Sequence, residues 1–189
     1  MTSSIEIAVM RGDGIGADVT DAALAVTDAA LARCGLPPCA IDNIDAGASY
    51  FAATGRDIEP DGEARAGAAD AIFLGAIGLP AIRHRDGTEI SPHLRLRDRY
   101  QLYAGVRPVR AYPNAPQRLA DGRAAQLDLV IIRESTEGLF YSAAVHDRAV
   151  IEGAADTPDA ISDIMRITRH TTQRLREFAF AYTARRKAR

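Results

Sequence analysis

Three arginines are placed where they could do chemistry together. Arg97 lies in a short helical stretch, Arg107 precedes Pro108 at the end of a strand-like run, and Arg133 ends the apolar run LDLVII. A guanidinium fork matches a carboxylate bidentately, and ligands of open α/β sheets gather beyond the carboxyl ends of strands, so such a set suits a di- or tricarboxylic acid. Taken singly, each arginine reads as easily as a solvated surface charge. Of the 23 basic residues 22 are arginine, and the one lysine, Lys187, stands near the end. Arginine can clamp an anion but does not abstract protons, so a buried lysine base is not expected within this sequence. His93, four residues before Arg97, shares its helix face, although a surface histidine is the simpler reading. Glu134 and Glu137 flank Ser135-Thr136 and could form an acid and base pair or merely a turn. No Ser/His/Asp arrangement and no metal-ligand spacing is visible.

The elements that must position these residues alternate along the chain. Ile5 to Met10 reads as a strand that breaks at Gly12-Asp13-Gly14-Ile15-Gly16. From Ala17 to Arg33, apolar positions Val19, Ala22, Ala23, Val26, Ala29 and Ala30 fall at helical spacing. A short strand from Ala40 to Asp45 follows, then helical stretches around Tyr50 and Phe51 and from Glu63 to Ala69, and a buried strand from Asp70 to Gly75. Leu79 to Pro92 is a loop, His93 to Tyr100 a short helix, Leu102 to Val109 a strand, Tyr112 to Arg123 a punctuated connection and Leu127 to Ile132 a second buried strand. Leu139 to Val150 suggests a hairpin arm and Ile164 to Ile167 a strand. A final helix starts at Thr168 or His170, with Leu175, Phe178, Ala179 and Tyr182 on its apolar face. Strands alternating with helices imply βαβ units and a mainly parallel sheet. The glycine turn has G-x-G-x-G spacing, which is not the G-x-G-x-x-G of a dinucleotide fingerprint, so a tight strand-to-helix turn competes with any cofactor contact.

With 189 residues, 47% hydrophobic and 25% charged, the chain can bury one sizeable core. Its net charge of −2 provides no field to gather nucleic acid or an anionic membrane, and no run approaches the length of a membrane span. The expectation is a cytoplasmic protein with a small-molecule partner. Cys34 and Cys39 are too few for a disulfide framework.

The string Ile7 to Leu24, IAVMRGDGIGADVTDAAL, resembles the opening of the β-decarboxylating dehydrogenases, the isocitrate and isopropylmalate dehydrogenase family. Three later stretches, DAIFLGAIGLP from Asp70, LRLRDRYQLYAGVRPV from Leu94 and LDLVIIRESTEGLFYS from Leu127, agree in order, and ITRHTTQRLREFAFAYTARRK from Ile167 resembles the family's ITR strand and following helix. The resemblance implies an α/β fold, an isopropylmalate-dehydrogenase-like sheet flanked by helices and not a Rossmann domain. It is incomplete because the C-terminal half of the family fold is absent. Residues 1–98 would begin the first, cofactor-side domain and 99–189 the second, truncated domain that carries substrate and dimer contacts.

The resemblance implies that Arg97, Arg107 and Arg133 hold the malate moiety of the substrate, that Gly78, Leu79 and Pro80 approach the nicotinamide cofactor, and that Ile15 lies near its adenine side. The implied chemistry is oxidation of a 2-hydroxy diacid by NAD or NADP and loss of its β-carboxylate, assisted by Mg²⁺ or Mn²⁺. The lysine that assists proton removal and the aspartates that bind the metal belong to the absent half, and Phe140 stands where the best-known members have a tyrosine acting as general acid. Isopropylmalate enzymes offer leucines beside the first arginine and a glutamate seven residues before it. Here those places hold His93, Leu94 and Ile90, which favours malate, tartrate or a similar diacid over isopropylmalate. The partners implied are a homodimer or a full-length family subunit. The other reading is a non-catalytic ligand-binding or regulatory relative, or a gene remnant, that associates with such a subunit.

Overall fold

The computed structural model describes residues 4–116, 119–141 and 164–186. Two compact units follow one another along the chain, Met1–Leu96 and Arg97–Arg189.

The first unit is built on three short parallel strands. β1 (Glu6–Met10) takes the centre, with β2 (Ala40–Asn43) on one side and β3 (Ala71–Leu74) on the other. Ile7 faces Ile41 and Ala71, and Val9 faces Asn43 and Phe73. Parallel neighbours need crossovers. Helix α1 (Ile15–Arg33) makes the first, and α2 (Ala48–Thr54) with α3 (Gly62–Ala68) makes the second. Flanked on both edges, β1 carries the core, with Ala8, Val9 and Met10 at most 1% exposed. β3, expected to be buried, has β1 as its one neighbour among the described residues, and its Leu74 is exposed.

The glycine turn decides how α1 seats. The helix forms where its alanine-rich sequence predicts, but the stripe facing the sheet runs through Gly16, Thr20, Ala23 and Leu24, while Val19 and Val26 point outward. The helix start passes so close to the strand ends that a Cβ on Gly16 would stand 2.6 Å from the Ala76 carbonyl oxygen. Small residues, Gly16 and Thr20, therefore take the inner stripe where the helix passes the strand ends, and the two valines turn to solvent at a cost in apolar burial. After β3 the chain runs through a loop with isolated bridges, Leu79 to Ile82 and Arg83 to Glu89, into α4 (Pro92–Arg99).

The second unit departs from the expected parallel pattern. β4 (Ala104–Arg110) and β5 (Asp128–Glu134) form a two-stranded antiparallel ribbon. The described residues of their connection hold a 3-10 turn, Gly122–Gln126, and no crossover helix, and the second strand returns beside the first. Helix α5 (Arg169–Arg185) is capped by the Thr168 hydroxyl, which accepts the Thr171 N–H. Its inner stripe is the one the sequence predicts, and Phe178 lies edge-on to Tyr103 with centroids 6.2 Å apart. α5 covers one face of the ribbon. β5 is thus not the buried strand its composition suggests, and Ile131 remains 52% exposed. The segment before α5 makes a single bridge, Arg166 to Gly138, in place of a strand. Of the expected hairpin arm, Phe140 and Tyr141 are helical, and residues 142–150 lie outside the described residues, as do His146 and Lys187.

Candidate active site

The antiparallel register puts two of the three arginines on one face. Arg107 pairs with Ile131 and Gly105 with Arg133, so Arg107 and Arg133 stand two positions apart on the same side of the ribbon. Arg97 reaches the same place from α4. Its guanidinium carbon lies 5.6 Å from the centre of the Phe140 ring, and that of Arg133 lies 5.2 Å from it. Two cations thus share one aromatic ring, a favourable but modest contact for each. Burial, then the charges of Arg133 and Arg107, press the Arg97 guanidinium below its ordinary value. Arginine keeps its proton all the same, so Arg97 stays a cation that is partly buried beside two like charges.

Several arginines elsewhere are paired. Arg65 is tied to Asp42 and Glu59, Arg95 to Asp57 and Glu63, Arg83 to Glu89, and Arg186 to Asp128. Among the described residues no carboxylate pairs with Arg97, Arg107 or Arg133, and the Arg133 Nε is buried without a hydrogen-bond partner. A crowded cationic cluster with an unmet donor has the charge and the donors that carboxylates would match.

The turn after β5 is structural. Glu134 accepts the Thr136 N–H at 2.8 Å, its hydroxyl at 2.7 Å, and the Glu137 N–H. Glu137 accepts the N–H and hydroxyl of Thr168 at 2.7 and 3.0 Å, at the start of α5. The acid and base pair considered from sequence is therefore occupied in holding the chain. Arg174 adds to that hold, donating to Gln101 and Thr136 and lying 4.5 Å over Tyr103.

In the first unit, Ile15 opens α1 with two thirds of its surface exposed. Gly78 has a φ of +112° and open space where a side chain would be. Ile77, Gly78, Leu79 and Pro80 line a cavity of about 230 Å³ with Glu89 and Ile90. Ile90 is 1% exposed and belongs to the core under that loop. The exposed apolar Ile15 and the open backbone at Gly78 are the features a flat cofactor ring would lie against.

One residue of this region was missed by sequence reasoning. Asp13, 4% exposed, accepts N–H bonds from Ala48 at 2.8 Å, Ser49 at 2.7 Å and Gly78 at 2.8 Å. Burial works to raise its carboxyl, but these donors outweigh that and hold it below the usual carboxylate value. The available signal was an aspartate inside a glycine turn, since aspartate caps helix ends, but the partners are distant in sequence. Among the described residues no three His, Cys, Asp or Glu side chains gather to hold a metal ion, and no helix is long and apolar enough to cross a membrane. Cys34 and Cys39 are both free.

Comparison with known proteins agrees with the fold. A model of the isocitrate/isopropylmalate dehydrogenase family matches residues 6–189. The solved isocitrate dehydrogenase of Methylococcus capsulatus superposes with a TM-score of 0.71 at 27% identity, over 97% of this chain and 49% of that one. Among curated relatives, a 3-isopropylmalate dehydrogenase of Beutenbergia cavernae is 40% identical over 74% of this chain and 39% of its own length. A D-malate dehydrogenase (decarboxylating) of Escherichia coli is 30% identical over 75% and 39%. Fold and sequence thus define an α/β protein, and the chain belongs to the isocitrate/isopropylmalate dehydrogenase family. It spans about half the length, or less, of the relatives it matches.

Proposed function

We propose that this chain supplies the substrate clamp and part of the cofactor side of a metal-dependent NAD(P) oxidoreductase that oxidises and decarboxylates a malate-type 2-hydroxy diacid in the cytoplasm. The observation that carries the reading is the cluster of Arg97, Arg107 and Arg133, three guanidinium groups without a carboxylate partner among the described residues. Two carboxylates of a diacid would offset two of the three positive charges and fix the hydroxyl carbon between them. Phe140 under two of the arginines offers a hydrophobic floor and no exchangeable proton, so proton transfer at that position falls to another group. When bound, a nicotinamide cofactor accepts the hydride from the hydroxyl carbon. Ile15, Gly78, Leu79 and Pro80 are the residues we assign to it. The family also implies Mg²⁺ or Mn²⁺, for which the described residues supply no ligand set, and no step is routed through it.

The substrate we favour is a small or polar diacid, D-malate or tartrate, because His93 and Leu94 occupy the helix places beside Arg97. A homodimer, or association with a full-length family subunit, is the assembly we propose. The test is calorimetric titration with D-malate, tartrate, isopropylmalate and isocitrate, before and after Arg107→Met. Binding of a small diacid that Arg107→Met abolishes is the expected result, and binding unchanged by the substitution removes the clamp. The concentration of basic charge in 22 arginines, with one lysine at Lys187, keeps a second reading in play: a relative that binds the diacid without turning it over by itself. Turnover gained only when the chain is mixed with a full-length family subunit would favour that reading.

A further inference from the structure

Among the described residues Asp13 is the one charged residue in the buried interior, 4% exposed, and it makes no ion pair. A buried carboxylate is costly unless hydrogen bonds replace its water. Here three backbone N–H groups from two distant segments do so. Ala48 and Ser49 open α2, whose cap position, Gly47, has no side chain to offer. Gly78 opens the loop that continues through Leu79 and Pro80. The Asp13 main chain adds a further link, since its own N–H donates to the Ala76 carbonyl at 2.6 Å. The fit leaves no slack, because a Cβ on Gly47 would stand 2.5 Å from an Asp13 carboxylate oxygen. Gly78 itself is exposed, and a side chain there would meet nothing within 4 Å, so packing does not hold it.

We propose that Asp13 is the positioning residue of the cofactor side: it caps α2 from another element and fixes the Gly78 amide, so that the loop Gly78-Leu79-Pro80 and the turn bearing Ile15 present one rigid edge to a nicotinamide nucleotide. The assignment rests on the cofactor reading above. It concerns a residue that touches no ligand and acts through the loop it holds.

The test is Asp13→Asn in the full chain, read by amide hydrogen exchange and by NADH and NADPH binding. Exchange should accelerate together at Ala48, Ser49 and Gly78, nucleotide binding should weaken about tenfold, and binding of D-malate or tartrate should stay within about twofold. A general loss of stability would instead raise exchange throughout the first unit and leave nucleotide affinity unchanged. If Asp13→Asn does not fold, Gly47→Ala displaces the carboxylate without removing it and should give the same pattern. Exchange at Gly78 that does not respond, or that responds while nucleotide affinity holds, overturns the assignment. Wild-type chain that binds neither NADH nor NADPH overturns the cofactor reading beneath it, whereas the exchange result still judges the tether.

Discussion

Gly105 stands directly opposite Arg133 across the β4–β5 ladder, and its missing side chain lets the two strands and the turn beyond them close together. A Cβ at that position would lie 2.9 Å from the Ser135 hydroxyl and 3.2 Å from the Arg133 carbonyl oxygen. Gly105→Ala should therefore displace the end of β5, tilt Arg133 off the Phe140 ring and weaken diacid binding about tenfold while circular dichroism changes little. Unchanged affinity in a calorimetric titration would show that the arginine tolerates the shift.

Arg107 is the exposed member of the cluster and the one whose loss disturbs packing least. A hydrogen bond to a charged group contributes about 1.5–3 kcal/mol, so Arg107→Met should weaken diacid binding roughly 10- to 150-fold. Arg107→Lys should restore little of it, because an ammonium cannot reproduce the two-pronged contact. The affinity of each variant for D-malate decides the matter.

The same crowding predicts the opposite sign for stability. With no anion present, Arg97 is partly buried beside two like charges. Arg97→Met should raise the Tm of the ligand-free chain by about 1–4 °C, corresponding to less than ~1 kcal/mol because the cluster is open to screening. The gain should shrink in high salt, which screens the repulsion directly. A Tm that falls at low salt would mean that the arginine's packing on Phe140 outweighs the repulsion.

Acid should release the Asp13 tether. The folded-state carboxyl sits below the ordinary value of 3.8, so its contribution to stability is complete above about pH 4 and is lost as the pH falls through the lower folded value. Asp13→Asn should flatten stability against pH in that acid window and leave its shape near neutrality unchanged. Urea unfolding from pH 2 to 6, comparing the two proteins, measures this.

Much of the fold was legible because its signals are local. The Thr168 hydroxyl, the 3.6-residue spacing of Leu175, Phe178 and Tyr182 and the break at Gly12 depend on neighbours a few residues away. The face of α1 was not legible: alanine suits both sides of a helix, and nothing local says that Gly16 must pass the Ala76 carbonyl. β5 reads as buried from its composition, yet how much of it is covered depends on what packs against it, and α5 covers one face only.

By its residues alone, the chain determined which groups could bind a diacid, arginines that cannot give up a proton, and the family resemblance added that a phenyl ring stands where a proton donor is expected. Only the tertiary structure decided that Arg97 and Arg133 share the Phe140 ring with Arg107 close enough to act on Arg97, without a carboxylate partner among the described residues, that Glu134 and Glu137 are held by backbone donors, and that Asp13 joins segments 35 and 65 residues away. The reason is one of range. Residue type sets what a side chain can do, whereas its partners and its access to water are set by contacts between distant segments, which carry no periodic signal in the sequence.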